Sequence, residues 1–323
     1  MNLLGLARRT RKWGCLLLLL AAATRIGDVA AQDTIRIMVG VTDAGTAAPL
    51  WSALLRQRLT PARYEEVSRT RRPLADAELA WLKLIRSRVP LWERERAAVA
   101  RPYAGVTPPG SVTIVVGNQA APGDDAFTHD ATTIGFDLGE LFSAYGDALR
   151  PENAVRIDRF FRHEYAHLLQ RPWLSAHPWP PGTPQAEALL EIWKEGLGNY
   201  HSLSGRWTEN GQATPLAKDT LAVLEPRLAA RLAALACATP QQAAALTADL
   251  SRGPFDEKWG ALPVALWLAT EPDPQKALGD FVHAGPAGVW DLAGRRLPAP
   301  LAAVVTEARA AGASCAVTVP GAR

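Results

Sequence analysis

The sequence lacks an excess of either charge, which argues against a nucleic-acid-binding protein. The whole chain carries 35 basic and 32 acidic residues. The first 31 residues hold five of the basic residues and only one of the acidic ones, so the rest of the chain has 30 basic and 31 acidic side chains. Because proteins that bind phosphate backbones need a basic excess, we predict no nucleic-acid partner.

The sequence near its N-terminus also lacks a hydrophobic run long enough to span a bilayer. Residues 15–23 form an apolar stretch of nine residues, whereas a membrane-spanning helix needs about 20. Four basic residues precede this stretch, and the small residues Val29, Ala30 and Ala31 follow it, as in a secretory signal. We therefore predict a cleaved signal at residues 1–31, no stable membrane span afterwards, and a bacterial protein that is periplasmic or secreted. An uncleaved anchor is the alternative.

Cysteine is scarce, with three in the chain. Cys15 stands at the start of the apolar stretch and not after it, so it does not have the position of a lipoprotein cysteine. Cys237 and Cys315 belong to the mature chain, where an oxidising compartment would allow one disulfide between them. Two unpaired buried thiols are the other interpretation, and the sequence does not separate the two.

Histidine is scarce as well, with six in the chain, yet two of them belong to one motif. Residues 163–167 read HEYAH, an HExxH pattern that chance would give in about one such chain in a hundred. Residues 154–170 contain no Gly or Pro and are predicted to form a helix, which puts His163 and His167 on one face. Both imidazoles could bind one Zn²⁺, and Glu164 could take a proton from a water held there.

A third protein ligand is needed, because catalytic zinc sites have three protein ligands and one open position. A second helix is predicted over residues 185–202, where Glu187, Glu191 and Glu195 are spaced by four and share a face. For Glu187 and Glu191, a solvated helix face is the simpler interpretation. His177 could serve only if the predicted loop at residues 171–184 folds back.

The two segments together resemble gluzincins, HExxH metallopeptidases whose third zinc ligand is a glutamate on a following helix. Trp193-Lys194-Glu195-Gly196 carries the second part of the resemblance, which covers residues 157–202. The resemblance implies that His163, His167 and Glu195 bind zinc and that Glu164 is the general base.

Further roles follow from the same resemblance. Gly196, after the glutamate, would allow the two helices to approach closely. Asn199 stands where some gluzincins have an aspartate that orients a ligand histidine. Near the motifs, the candidate donors to the oxyanion of the transition state are Tyr200, His201 and His177, while Tyr165 is predicted to pack on the far side of its helix.

Two family features are missing. Residues 255–262 resemble a downstream gluzincin segment that carries a transition-state tyrosine in aminopeptidases, but they contain no tyrosine. The Gly-x-Met-x-Asn signature of those aminopeptidases is absent too, since the methionines are Met1 and Met38. The third histidine of metzincins is also lacking. The expected function is thus an exported zinc metallopeptidase acting on peptides or proteins. The alternatives are a catalytically silent scaffold or binding protein, and a zinc hydrolase of a non-peptide amide.

The predicted fold is α+β and zincin-like, without internal repeats. A mixed α/β subdomain over residues 32–175 ends in the HExxH helix, and a mainly helical subdomain over residues 176–323 supplies the third ligand. Strands are predicted at 34–41, 111–117 and 132–138 because of their alternating or β-branched residues. The last of these is either a structural strand or the edge strand that would pair with an extended substrate.

Overall fold

A four-stranded mixed sheet forms the N-terminal part of the fold. The computed structural model describes residues 34–120, 125–180 and 182–317, so the predicted signal at residues 1–31 lies outside the described residues. The strands are β1 (Thr34–Val39), β2 (Ser111–Gly117), β3 (Ala126–Thr128) and β4 (Thr133–Asp137). Their order is β1-β2-β4-β3, with β3 antiparallel to β4 and the other pairs parallel. β-Branched residues dominate β1 and β2 and favour extended backbone.

The strand predicted at residues 132–138 is not an edge strand. Of the two interpretations of this segment, the edge strand that pairs with substrate is therefore wrong. It forms β4, which lies between β2 and β3. The edge strand on this side is β3, which has three residues and is too short to give an alternating pattern. β3 and β4 both contact the HExxH helix, and of the two only β3 lies at the sheet edge among the described strands.

Helices cover both faces of the sheet. Those of the N-terminal part are α1 (Pro49–Arg58), α2 (Pro61–Arg69), α3 (Asp76–Ala100), α4 (Leu138–Tyr145) and α5 (Pro151–Ala176). The fully buried Trp51 of α1 packs with Val115 and Phe127 on one face. On the other face, Ile114 and Phe136 pack in a larger core with the tryptophans of α3 and the apolar side of α5. Alternation along the strands thus divides the core into two layers.

The rest of the chain is mainly helical. Its elements are α6 (Pro184–Ser202), β5 (Thr208–Glu209), β6 (Gln212–Ala213), α7 (Pro215–Leu235), α8 (Pro240–Thr247), α9 (Ala261–Ala269), α10 (Pro274–Ala284), α11 (Gly288–Arg296) and α12 (Ala299–Val317). Most of these helices have proline in the first turn, where its missing N–H costs no helical hydrogen bond. Buried α9 packs on one side of α6 and α5 on another, which places α6 at the centre of the fold.

The HExxH helix is longer than the sequence predicts. We expected a loop from residue 171, but α5 continues through Pro172 to Ala176. The last turn is held by Trp173, which is buried and packs on Trp193 of α6 with ring centroids 4.9 Å apart. Burial of two indoles outweighs the cost of proline in a helix, and the connecting loop shrinks to residues 177–183.

The class is α+β and mostly helical, with 64% of the described residues in helices. The described residues belong to one compact unit. Cys237, after α7, and Cys315, in α12, form a disulfide. Within the described residues, no helix combines the length and apolar character needed to cross a bilayer.

Candidate metal centre

The position of the HExxH helix is fixed by its buried side. Phe161 and Leu168 are fully buried there, and the ring of Phe161 stacks on Trp92 of α3 at 4.6 Å. Asp158 adds an ion pair to α3, since its Oδ2 accepts a hydrogen bond from the Arg88 guanidinium at 2.7 Å. These contacts hold α5 against α3, so the two motif histidines at its edge face α6 in a defined orientation.

The structure brings His163, His167 and Glu195 together. The Nε2 atoms of the two histidines are 3.0 Å apart. One carboxylate oxygen of Glu195 lies 3.6 Å from His163 Nε2, and the other lies 3.4 Å from His167 Nε2. These side chains form the only group of three or more His, Cys, Asp or Glu residues, among those described, with the spacing for a metal ion.

This arrangement fits zinc. With zinc–ligand bonds of about 2.0–2.2 Å and tetrahedral angles, neighbouring ligand atoms are about 3.3–3.6 Å apart, close to the separations between the two nitrogens and the carboxylate. Two imidazole nitrogens 3.0 Å apart would present their lone pairs to each other unless a cation or a proton lies between them. The donor set of two imidazoles and one carboxylate is also that of a catalytic zinc site.

Two residues that the sequence did not reveal hold the histidines. Gln170 Nε2 donates to the carbonyl of Lys194 at 2.9 Å, which leaves its Oε1 to accept from His167 Nδ1 at 2.8 Å. His163 Nδ1 lies 3.1 Å from Ser202 Oγ. A histidine that donates from Nδ1 has an unprotonated Nε2. The Gln170 contact therefore favours the tautomer of His167 in which Nε2 can bind a metal, and the Ser202 hydroxyl is able to accept a hydrogen bond from His163 Nδ1 in the same way.

Replacing Gln170 with leucine is expected to weaken zinc binding by about 10- to 100-fold, the usual effect of removing the partner of a ligand histidine. The reason is that His167 would lose the acceptor that fixes its tautomer and ring orientation. The measurement is a competition titration against a zinc chelator.

The matched control is Gln185→Leu. Gln185 is also a buried glutamine, but it donates to the carbonyls of Leu232 and Ala308, away from the centre. This variant is expected to lose stability and keep zinc affinity. Equal zinc affinity for Gln170→Leu and the wild type would contradict the role of Gln170.

A glycine of α6 allows the close approach to His163, but it is not the one predicted. A Cβ at Gly198 would lie 2.8 Å from His163 Cε1 and 2.9 Å from its Nε2. A Cβ at Gly196 would instead meet Val264 of α9 at 2.5 Å. The expectation that Gly196 brings the two helices together is therefore wrong. Gly198 makes room for the His163 ring of α5, and Gly196 makes room for Val264 of α9.

Replacing Gly198 with alanine is expected to lower zinc affinity by about tenfold or more, because the new methyl group must push the His163 ring away from the other ligands. Alanine is otherwise the better helix former by about 1 kcal/mol. The control is Gly279→Ala in α10, where a Cβ meets nothing within 4 Å, and we expect higher thermal stability and unchanged zinc affinity there. Unchanged zinc binding by Gly198→Ala would show that His163 is not held against α6.

Glu164 is buried beside the ligands. It is 6% exposed, and its Oε1 lies 4.0 Å from His163 Nε2. Burial raises the pKa of Glu164 to about 7; the charges of Glu195 and Asp125 raise it further, and that of His163 opposes them. Such a carboxyl group can both accept and return a proton near neutral pH.

The pKa values of the three ligand candidates reflect their contact. Burial would raise the pKa of Glu195, but the two histidines outweigh it and hold that pKa well below its ordinary range. Burial lowers the pKa of His167 to about 4. Burial also opposes the charge on His163, yet Glu195 and Glu164 raise its pKa. Glu195 is therefore ionised, and the neutral His167 is ready to bind a cation.

The other predicted site residues are not among the three grouped ligand candidates. Asn199 is buried, and its amide nitrogen has no hydrogen-bond partner in the described part of the chain; the histidine Nδ1 atoms contact Ser202 and Gln170 instead. Tyr200 accepts a hydrogen bond from Gln275 at 3.2 Å.

The two remaining candidate donors differ in burial. His201 Nε2 is buried without a partner among the described residues, and burial together with the charges of Arg162 and His163 lowers the pKa of His201 to about 3. His177 directly follows α5, is exposed and stacks on Trp173 at 4.4 Å. Tyr165 is buried against Phe161, as predicted.

Comparisons of the chain with protein-family models, with curated proteins and with solved structures found no match.

Proposed function

We propose that the protein is an exported zinc-dependent peptidase that hydrolyses peptide bonds in peptides or proteins. The observation that carries the proposal is the cluster of His163, His167 and Glu195, with a buried carboxyl group beside it. The two Nε2 atoms are 3.0 Å apart, and each lies 3.4–3.6 Å from one oxygen of the Glu195 carboxylate. A purely structural zinc site would have four protein ligands, and the described residues supply three. The Glu164 carboxyl group lies 4.0 Å from His163 Nε2. A structural zinc site would not need this buried acid.

Each residue has a defined part in the proposed reaction. Bound zinc would activate the attacking water and polarise the scissile carbonyl. Glu164 takes a proton from that water and passes it to the leaving amine. Gln170 and Ser202 keep the imidazoles in the orientation that presents Nε2.

The fold supports a zincin-like arrangement. α5 and α6 run antiparallel, since His163 meets Ser202 and Gln170 meets Lys194. β3 lies at the sheet edge and contacts α5, where an extended substrate could add as a further strand. The disulfide between Cys237 and Cys315 supports export, because disulfides persist in oxidising compartments.

The test is metal analysis of the purified chain, followed by incubation with random decapeptides. We expect one zinc per chain, peptide cleavage, and loss of cleavage on treatment with a chelator. Absence of zinc binding would contradict the proposal. Zinc with peptide binding but no cleavage would favour the silent binding protein, and cleavage confined to non-peptide amides would favour the other hydrolase class.

A further inference from the structure

One turn before the first ligand histidine, α5 carries an arginine, Arg159, that forms no ion pair with a carboxylate in the described part of the chain. Arg159 is one turn before His163, and Arg156 is one turn before Arg159, so they share a side of the helix with the ligand histidines. Arg159 is half-buried. Within the described residues, no carboxylate or carbonyl accepts a hydrogen bond from its guanidinium.

The nearest acid on α5 is already engaged. Asp158 accepts hydrogen bonds from Arg88 at 2.7 Å and from Trp92 at 2.8 Å. Burial and the charges of Arg156 and Arg162 lower the pKa of Arg159, although a guanidinium stays protonated in proteins. The charge of Asp158 offsets part of this effect, but its oxygens accept hydrogen bonds from Arg88 and Trp92 and not from Arg159. The fold therefore keeps a partly buried cation that a further anion would stabilise.

The two neighbouring arginines have partners of their own. Arg162 pairs with Glu95 at 3.1 Å. The guanidinium of Arg156 lies 4.4 Å from the ring centroid of Tyr145 and donates to Asn153. Arg159 is thus the member of this group that remains available to a ligand.

Two cations on other elements also act on groups of the centre. The charge of Lys258, which precedes α9, acts on His163 and Asp125. The charge of Arg58, the last residue of α1, acts on Glu164. Two acids near the centre have partners of their own, since Glu195 contacts both histidines and Asp125 accepts from the Tyr145 hydroxyl at 2.7 Å. The third, Glu164, is the proposed general base and lies 4.0 Å from His163 Nε2.

From this placement we propose that Arg159 binds a carboxylate of the substrate, so that the metal centre acts on acidic peptides. The inference rests on the proposed peptidase function and adds a substrate class to it. A guanidinium can bind a carboxylate through two parallel hydrogen bonds, which gives orientation as well as affinity. The carboxylate belongs either to an Asp or Glu side chain or to the C-terminus of the peptide.

The experiment uses the zinc-loaded mature protein and four pools of random decapeptides. Two pools contain Asp and Glu, and two contain Asn and Gln in their place; one of each kind has an amidated C-terminus. We expect the wild type to show a KM about 10- to 100-fold lower for peptides with the recognised carboxylate. If the amidated acidic pool keeps this advantage, the carboxylate is in a side chain; if amidation removes it, the carboxylate is the C-terminal one.

Variants of Arg159 distinguish a specific carboxylate-binding site from general electrostatic attraction of acidic peptides. Arg159→Gln should lose the preference with unchanged zinc content, and Arg159→Lys should keep part of it. Arg309→Gln removes a remote arginine that pairs with Asp291 and should behave as the wild type. Equal cleavage of all pools, or a preference that survives in Arg159→Gln, would overturn the inference and leave the peptidase proposal intact.

A binding measurement covers the case in which no pool is cleaved. Equilibrium dialysis of the same pools against the zinc-loaded protein, read by mass spectrometry, should enrich peptides with the recognised carboxylate on the wild type and not on Arg159→Gln. That result would support the carboxylate site while the peptidase proposal fails. No enrichment, or the same enrichment on both proteins, would overturn the site.

Discussion

Replacing Glu164 with glutamine is expected to reduce kcat/KM for peptide hydrolysis by about 10²- to 10⁴-fold, the range that general-base catalysis contributes. The amide has nearly the same size and shape but cannot take the proton of the attacking water. Glu164 is not one of the three grouped ligand candidates, so zinc content should stay at one per chain. The measurements are steady-state kinetics with a cleaved decapeptide and metal analysis of the same sample.

The control for this variant is Glu187→Gln. Glu187 is an exposed glutamate in the first turn of α6, two turns before Glu195, and it should tolerate the same change without loss of rate. Hydrolysis by Glu164→Gln at the wild-type rate would remove Glu164 from the mechanism. Loss of rate together with loss of zinc would mean that Glu164 acts on the metal site itself.

Replacing Glu195 with glutamine is expected to reduce zinc affinity by more than the 10- to 100-fold or so that a supporting residue such as Gln170 contributes. Glu195 is the sole anion of the ligand group, and its two oxygens lie 3.6 and 3.4 Å from the two Nε2 atoms. Its pKa is held low by the histidines, so the ligand that is lost is a full negative charge. A chelator competition titration measures the change.

Thermal unfolding gives a second measurement of the same loss. Zinc at a hundred times its Kd should stabilise the wild type by about 2.7 kcal/mol, and the same concentration should have little effect on Glu195→Gln. The control is Glu191→Gln, one turn earlier, where the carboxylate pairs with Lys194 at 3.2 Å and accepts from Ser251 at 3.0 Å. Tight zinc binding by Glu195→Gln would exclude the proposed ligand set.

Local patterns were sufficient for the parts of the site that lie on one helix. The four-residue spacing of His163 and His167 depends only on helical geometry, so the helix prediction places them together. The choice of Glu195 needed the resemblance, because Glu187 and Glu191 have the same periodicity. The structure distinguishes them by contact: Glu195 meets both histidines, whereas Glu191 pairs elsewhere.

The remaining features depend on how the helices pack, which the sequence does not display. Gln170 and Ser202 contact the histidines only because α5 and α6 cross in a particular register. The same register decides that Gly198, rather than Gly196, faces His163. β3 was missed because three residues give no periodic signal, and the continuation of α5 past Pro172 depends on burial of Trp173.

The bond between Cys237 and Cys315 gives the C-terminal part of the chain a covalent topology. The two cysteines are 78 residues apart, and the segment between them includes α8 to α11 and most of α12, so these helices belong to one closed ring of backbone. A protease that cuts this ring once leaves the two pieces covalently joined. α9 lies in this ring and packs against α6, which bears Glu195. A single cut in the ring therefore leaves α9 covalently attached to the rest of the chain, and α9 supports the helix that carries the metal ligand.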